Sequence, residues 1–486
     1  FQAEDGIRDV ERSRGLGDVY KRQVDKMRHV ILPQAIKRIL PALGNQLVYM
    51  LKMSSLVSVI VFSIWIPALL SAELPEPDCP PKRLDILGEP LLAFKDSNNQ
   101  VGIIDRRCPH RGADLYYGRN EECGIRCVYH GWKFDINGNC VDLPTAPKDS
   151  NFKEKIRVTA YPTQELAGFI WIYMGPRKNK LPEIPKQEFT LLPSSHVFIS
   201  KKWQECNWAQ SLEGGIDTAH LSFLHMPAPI HNKENITTNV VSGAALSDQD
   251  GDNRIRWVRD DPCPKFTVLQ HPAGLLLGAA RRADNEDIYW RTTQYLMPNY
   301  AYAPNAFPGE TQHGQCWVPI DDTSCWIFCY SWNPDRALTA EERQKFTKGF
   351  SIHAEVDAEF LPLRRQSNNY LMNRNDQKIN TYTGIQGVSE QDAAIQNSQG
   401  PIVDRSREHL GQTDVGIIEF RKLILSAADK LHSGQAPCNA VADDFAVQCG
   451  GAVAHKDISL EEVMKQRFDH ATGYVGSRYG LTGTNN

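Results

Sequence analysis

Four residues in the first third of the chain stand at spacings that suit metal chemistry. Cys108 and His110 are separated by one residue, Cys127 and His130 by two, and sixteen residues lie between the pairs. Two thiolates and two imidazoles can bind one zinc ion, or a two-iron, two-sulfide cluster with both imidazoles on one iron. Zinc asks only for four ligands at workable distance. The cluster also asks for bridging sulfides wrapped by backbone N–H groups, hence tight loops containing glycine. Gly112 follows the first pair, Gly131 follows the second, and Trp132 then offers an apolar cover.

A second set lies in residues 207–225, NWAQSLEGGIDTAHLSFLH. Asp217 and His220 are three apart, so on a helix they share a face. His220 and His225 are five apart, so the helix is predicted to bulge or end near His225, and Pro227 agrees with an ending. Two His and a carboxylate with open positions make the facial triad of non-haem Fe(II) sites, where O2 takes the open positions. The bland alternative is a helix carrying a surface Asp and two core His.

CPHRG at 108–112 and CVYHGW at 127–132 resemble the Rieske [2Fe–2S] motif of ring-hydroxylating oxygenases, and residues 207–225 resemble the mononuclear-iron motif of the same family. The likeness is to α-subunits of the phthalate 4,5-dioxygenase and aryl-ether O-demethylase branch, and it covers residues 65–431 or thereabouts. It implies an α+β fold: an all-β Rieske domain, then an antiparallel-sheet catalytic domain with helices, of helix-grip type. It implies Cys108, His110, Cys127 and His130 as cluster ligands, and His220 and His225 as ligands of a mononuclear Fe(II). The family's Asp three before the first His lies between the iron site and the cluster of a neighbouring subunit, a role that falls to Asp217. The third iron ligand is expected at Asp392, with Asp376 and Asp357 as fallbacks. Ser389 and Asp392 also fit a capping box at a helix start.

The implied reaction takes O2 and two electrons to an aromatic acid. Either a cis-dihydrodiol forms or, alternatively, an aryl ether is demethylated with loss of formaldehyde. No GxGxxG follows a strand, so the electrons are expected from NAD(P)H through a separate flavin and iron–sulfur reductase. An anionic substrate needs cations, and Arg has the fork geometry for carboxylates. Arg291 in IYWRTTQYLMP is the first candidate, against Arg254, Arg256, Arg281 and Arg282, and Thr218 offers a hydroxyl beside Asp217. Within one chain the cluster and the iron are expected to lie too far apart for fast transfer. A head-to-tail contact that closes into a ring is then required, giving a homotrimer or two stacked trimers. The rival is a pure electron carrier. Respiratory Rieske proteins place a Cys just after each ligand pair, whereas Arg111, Gly112, Gly131 and Trp132 stand there in this chain.

The elements that must hold these residues are spread over 486 residues, 41% hydrophobic and 23% charged, enough for two or three domains. A net charge of -4 argues against nucleic acid as a partner. Twelve Cys are too few for a disulfide scaffold and read as reduced thiols, which suits a cytoplasm. Short strands are predicted at 83–87, 91–95, 101–106 and 169–174, within a Rieske domain at 62–176. A linker rich in Lys and Pro follows at 177–193, then the catalytic domain at 194–435 and a weakly periodic tail at 436–486. Strands are expected at 267–280 and 288–298, a helix capped by Thr339, and an amphipathic helix at 414–434. Residues 1–23 resemble a translated sequencing adapter and 28–60 a piece of an amino-acid ABC-transporter permease, so 1–61 is expected to be foreign to the fold. The uncharged run 53–72 has the length of a membrane span, but Ser and Pro dilute it and its second half resembles the family's opening; no membrane segment is expected in the working enzyme.

Overall fold

The computed structural model describes residues 65–147, 149–175, 181–227, 253–303, 307 and 309–468. The expectations for residues 1–61 lie outside the described residues. The described end of the uncharged run contains strand β1 (Trp65–Leu70). No helix among the described residues is long and apolar enough to cross a membrane.

The first part of the chain is all β. After β1 come β2 (Lys82–Ile86), β3 (Glu89–Lys95), β4 (Val101–Asp105), β5 (Arg119–Glu121), β6 (Gly124–Arg126), β7 (Lys133–Phe134), β8 (Cys140–Asp142), β9 (Ala160–Tyr161), β10 (Thr163–Leu166) and β11 (Phe169–Tyr173). They form three antiparallel sheets, ordered β1-β11-β10, β2-β3-β4-β9 and β5-β6-β7-β8. The predicted strands are β2, β3, β4 and β11. Leu84 and Ile86 on β2 are buried while Arg83 and Asp85 are exposed, the alternation of a sheet wet on one face. Asp96 closes the β3–β4 turn by accepting from the N–H groups of Asn98 and Gln100 at 2.9 and 2.8 Å. The chain leaves this sheet after Asp105 and returns beside it, where Ile103 pairs with Tyr161 and Ile104 with Ala160. The excursion between them is the small sheet β5-β6-β7-β8, and its loops carry both Cys/His pairs.

The second part is built on one antiparallel sheet: β12 (Val197–Gln204), β13 (Lys265–His271), β14 (Gly274–Arg282), β15 (Asp287–Leu296), β16 (Tyr300–Tyr302), β17 (Gln312–Pro319), β18 (Cys325–Trp332) and β19 (Gly450–His455). The order is β12-β18-β17-β16-β15-β14-β13, with β19 pairing β15. Among the described residues seven helices accompany it: α1 (Trp208–Ile216), α2 (Arg254–Asp260), α3 (Ala340–Thr347), α4 (Asp376–Ile379), α5 (Val388–Ser398), α6 (Val415–His432) and α7 (Leu460–Phe468). Thr339 caps α3 as expected: its hydroxyl accepts from Glu342 N–H at 3.1 Å and the Glu342 carboxylate accepts from Thr339 N–H at 2.8 Å. The amphipathic α6 begins after Asp414 and stops before Gly434, whose φ is +74°.

Three local features depart from the sequence reading. The helix before the His pair stops at Ile216, so Asp217 and His220 do not share a helix face; Asp217 is extended and His220 opens a short 3-10 turn. The described part of the linker, 181–193, is partly built into the core. Gln187 and Glu188 are buried and accept hydrogen bonds from Tyr302, Tyr330 and Trp332. The part of the weakly periodic tail that is described, 436–468, is built into the fold: β19 pairs with β15 and α7 packs Leu460, Val463 and Met464 against Leu276, Trp290 and Ala452. Its periodicity is weak because a six-residue strand carrying two glycines has little pattern to show.

Candidate metal centres

The two Cys/His loops are built alike. Cys108 N–H donates to Ala113 C=O at 2.8 Å and Gly112 N–H donates back to Cys108 C=O at 2.8 Å. Cys127 N–H donates to Trp132 C=O at 2.8 Å and Gly131 N–H to Cys127 C=O at 2.9 Å. Gly112 and Gly131 have φ of +72° and +77°, the left-handed conformation that the loop closure demands. Gly131 must also lack a side chain, because a Cβ there would stand 2.7 Å from Pro144 Cγ. Pro144 thus packs directly over the second loop. Both Cys are buried at the domain core, while His110 and His130 are half-buried with ring centroids 4.3 Å apart. Trp132 stacks on His110 at 4.4 Å and is fixed by its Nε1 donating to Thr145 Oγ1 at 2.9 Å.

The donor set fits a cluster better than zinc. Tetrahedral zinc would draw all four donor atoms to within about 4 Å of one another. Among the described residues the set that gathers within 4.8 Å is His220, His225 and Asp392, and the loop residues form no such set. Instead the Cys pair lies at the core and the His pair toward solvent, as two ligands for each of two irons require. His110 Nδ1 is buried without a hydrogen-bond partner, so the pair has an unfilled need. Burial chiefly, together with the neighbouring Cys127, pushes the Cys108 thiol up to about 11. Only a bound cation would make it a thiolate at neutral pH.

The second centre lies where α1 and α5 converge. His220 Nε2 and His225 Nε2 are 3.1 Å apart, and Asp392 Oδ1 stands 3.3 Å from His225 Nε2 and 3.6 Å from His220 Nε2. The far nitrogens are engaged. His225 Nδ1 is 2.7 Å from Gln391 Oε1, and His220 Nδ1 is 3.4 Å from Asp217 Oδ2. An amide oxygen and a carboxylate only accept, so each Nδ1 carries the proton and each Nε2 presents a lone pair. Three lone pairs converging without a hydrogen between them call for a cation, and two imidazoles with one carboxylate suit Fe(II). Asp217 also accepts from Ala219 N–H at 2.7 Å. Burial opposes its ionisation, but the His220 ring holds its carboxyl below the usual range. When bound, the cluster would supply one-electron transfer and Fe(II) the binding and reduction of O2.

The fallback carboxylates lie elsewhere in their own turns. Asp376 accepts from Asn380 at 2.9 Å, and Asp357 accepts from the N–H groups of Glu359 and Leu361. The capping-box reading of Ser389 also fails. The N-cap of α5 is Gly387, and the Ser389 hydroxyl inside the helix accepts from Lys202 Nζ.

Arg291 and Thr218 do meet: Arg291 Nε donates to Thr218 Oγ1 at 3.2 Å. Arg281, on the neighbouring strand, donates to Thr218 C=O at 2.7 Å and leaves its Nη1 buried without a partner. The rival arginines are engaged, Arg254 with Glu310 and Arg256 with Asp284, while Arg282 is 84% exposed. Burial and then the charge of Arg291 push the Arg281 pKa down to about 10. Sequence reasoning missed Gln391, which stands beside Asp392 but shows its role only by a contact across 166 positions.

Residues 64–162 match the Rieske [2Fe-2S] domain family, and residues 172–463 match the family described as LigXa C-terminal domain like. The chain is 35% identical over 420 residues to the 3-chlorobenzoate-3,4-dioxygenase oxygenase subunit of Comamonas testosteroni, covering 83% of this chain and 93% of that protein. It is 37% identical over 384 residues to the phthalate 4,5-dioxygenase oxygenase subunit of Pseudomonas putida, covering 76% and 82%. The crystal structure of dicamba monooxygenase bound to dicamba shares the fold, with a TM-score of 0.52 at 18% identity over 78% of this chain and 100% of that one. A Rieske domain joined to this catalytic domain, shared over most of the length of two oxygenase subunits, leaves one conclusion: the chain belongs to the α-subunits of the Rieske aromatic ring-hydroxylating oxygenases.

Proposed function

We infer that this oxygenase subunit inserts oxygen from O2 into an aromatic carboxylate, with two electrons per turnover from NAD(P)H through a separate reductase. The observation that carries the substrate class is the pair Arg281 and Arg291. Both are buried, at 0% and 1% exposure, and Thr218 ties them to the segment that ends in His220. Neither has a carboxylate partner among the described residues. Two buried guanidinium groups without a counter-ion are costly, and an arene carboxylate would neutralise them. The two relatives are named for aromatic acids, chlorobenzoate and phthalate, which supports this reading. Both are also named oxygenase subunits, which supports a separate electron donor.

In this reading Cys108, His110, Cys127 and His130 hold the cluster, and His220, His225 and Asp392 hold Fe(II). Asp217 orients His220 and faces the cluster of a neighbouring subunit in a homotrimer or a pair of stacked trimers. Arg291, Arg281 and Thr218 grip the carboxylate and turn one ring edge toward the triad. The reaction joins arene, O2, two electrons and two protons into a cis-dihydrodiol. None of the twelve cysteines is in a disulfide, which suits a reducing cytoplasm.

The test is coupled O2 uptake by the reductase-supplied enzyme with benzoate, phthalate, their methyl esters and methoxybenzoate. The acids should be oxidised and the esters should not. Arg291→Met should raise KM for the acid by about tenfold or more, the worth of a lost charge-assisted hydrogen bond, with cluster and iron content unchanged. Formaldehyde from methoxybenzoate without diol from the other acids would point to demethylation. Equal turnover of esters and acids would sink the carboxylate reading.

A further inference from the structure

Asp392 faces a second space besides the His pair. A cavity of about 30 Å³ is lined by Lys202, Gln204, Ser211, Ser389, Asp392 and Gln396. A polar space of that size has room for a water or two. Its walls are held open by bonds already made. Gln204 Nε2 donates to Gln396 Oε1 at 2.6 Å, Ser211 Oγ donates to the same oxygen at 3.0 Å, and Trp317 Nε1 donates to Ser211 Oγ at 2.8 Å.

Lys202 is the group in this cavity that is not accounted for. It lies on β12, only 6% exposed. Its ammonium donates to the Ser389 hydroxyl and, at 3.4 Å, to the Ile352 carbonyl. No carboxylate among the described residues pairs with it, and an ammonium has three donors. A buried ammonium with a spare N–H and no ion pair needs water or an anion. The cavity gives it a space shared with the Asp392 carboxylate. Gln315, also in the lining, is half-buried and lies on β17.

We propose that this cavity is a water site through which protons reach the oxygen chemistry, with Lys202 as the positioning residue that orders the water against Asp392. The inference rests on the oxygenase reading for its chemistry. Arene, O2, two electrons from the reductase and two protons give the dihydrodiol, and demethylation to phenol, formaldehyde and water also consumes two protons. The aromatic substrate, once gripped by Arg291, obstructs water on its own side. The cavity offers a separate entry for protons. Lys202 donates a hydrogen bond, not a proton: its third N–H fixes the water oxygen, and that water hands on protons arriving from solvent.

Crystals of the metal-loaded wild type should show an ordered water within hydrogen-bond distance of both Lys202 Nζ and Asp392. Lys202→Met should lose it. In single turnover, Lys202→Met should form product several-fold more slowly, with a larger solvent deuterium isotope effect, at unchanged iron content and unchanged KM. Ser389→Ala frees the ammonium without removing its charge. It should shift rate and isotope effect in the same direction by less, and it serves if Lys202→Met does not fold. A dry cavity in wild-type crystals overturns the proposal. So does a wild-type isotope effect in both variants, or a loss of iron that accounts for the whole loss of rate, because Lys202 would then be structural. If no aromatic acid is turned over, the substrate reading fails, and the water in the wild-type crystal still decides this one.

Discussion

The tautomer of His225 is decided by one neighbour. Gln391 Oε1 can only accept, and Gln391 Nε2 is itself engaged with Ile385 C=O at 2.8 Å, so the amide cannot turn over and offer a proton instead. Without that acceptor the ring is free to exchange tautomers and to rotate out of the triad. Gln391→Leu is therefore expected to weaken Fe(II) binding by roughly 10–100-fold, the usual consequence of losing the outer partner of a metal-bound imidazole. A chelator competition titration checks it, with the visible spectrum of the cluster as the internal control. Wild-type affinity in this variant would mean that packing alone orients His225.

The helix that delivers the His pair is positioned by what it lacks. A Cβ at Gly215 would come within 2.5 Å of the Trp317 ring on β17, and one at Gly214 would strike the Gln396 side chain of α5. The two glycines let α1 lie directly on the sheet and on α5, while Glu213 beside them is held by Arg405 and Arg421 at 2.9 and 2.7 Å. Gly215→Ala should cost about 1–3 kcal/mol, as overpacking does. By lifting α1 it should also draw His220 away from Asp392. A lower Tm together with reduced iron content, at normal cluster content, is the expected outcome; a lower Tm with full iron would separate packing from placement. Elements governed by neighbours in sequence were legible: the Thr339 cap, the extent of α6, the β2–β4 strands and the Cys/His loops. What depended on distant contacts was not. The burial of Gln187 and Glu188 and the pairing of Arg291 with Gly451 in β19 each need a partner more than a hundred positions away. The same holds within the candidate site: Cys108, His110, Cys127, His130, His220 and His225 stand in local motifs, whereas Lys202 and Gln391 carry no sequence pattern at all.

At the scale of the whole molecule the two centres lie in separate parts of the chain, and Asp217 is the residue argued to join them between subunits. It uses one oxygen on Ala219 N–H and turns the other to His220, and its side chain stays 27% exposed, leaving room for a second imidazole from a neighbour. Asp217→Asn should keep the assembly, the cluster and most of the iron, and sharply slow oxidation of the reduced cluster in single turnover with substrate and O2. Oxidation at the wild-type rate, or sedimentation of active enzyme as a monomer, would remove the inter-subunit route. The small sheet that carries the cluster loops has a further consequence. Its two ends emerge at Asp105 and Ala160, on strands that already pair, with Asp105 N–H bonded to Thr159 C=O at 2.8 Å. Cutting the chain there and rejoining it would need only a short turn between neighbours. Redox capacity is thus a cartridge seated in this scaffold, open to exchange between chains without rethreading either the host strands or the sheet that holds the iron.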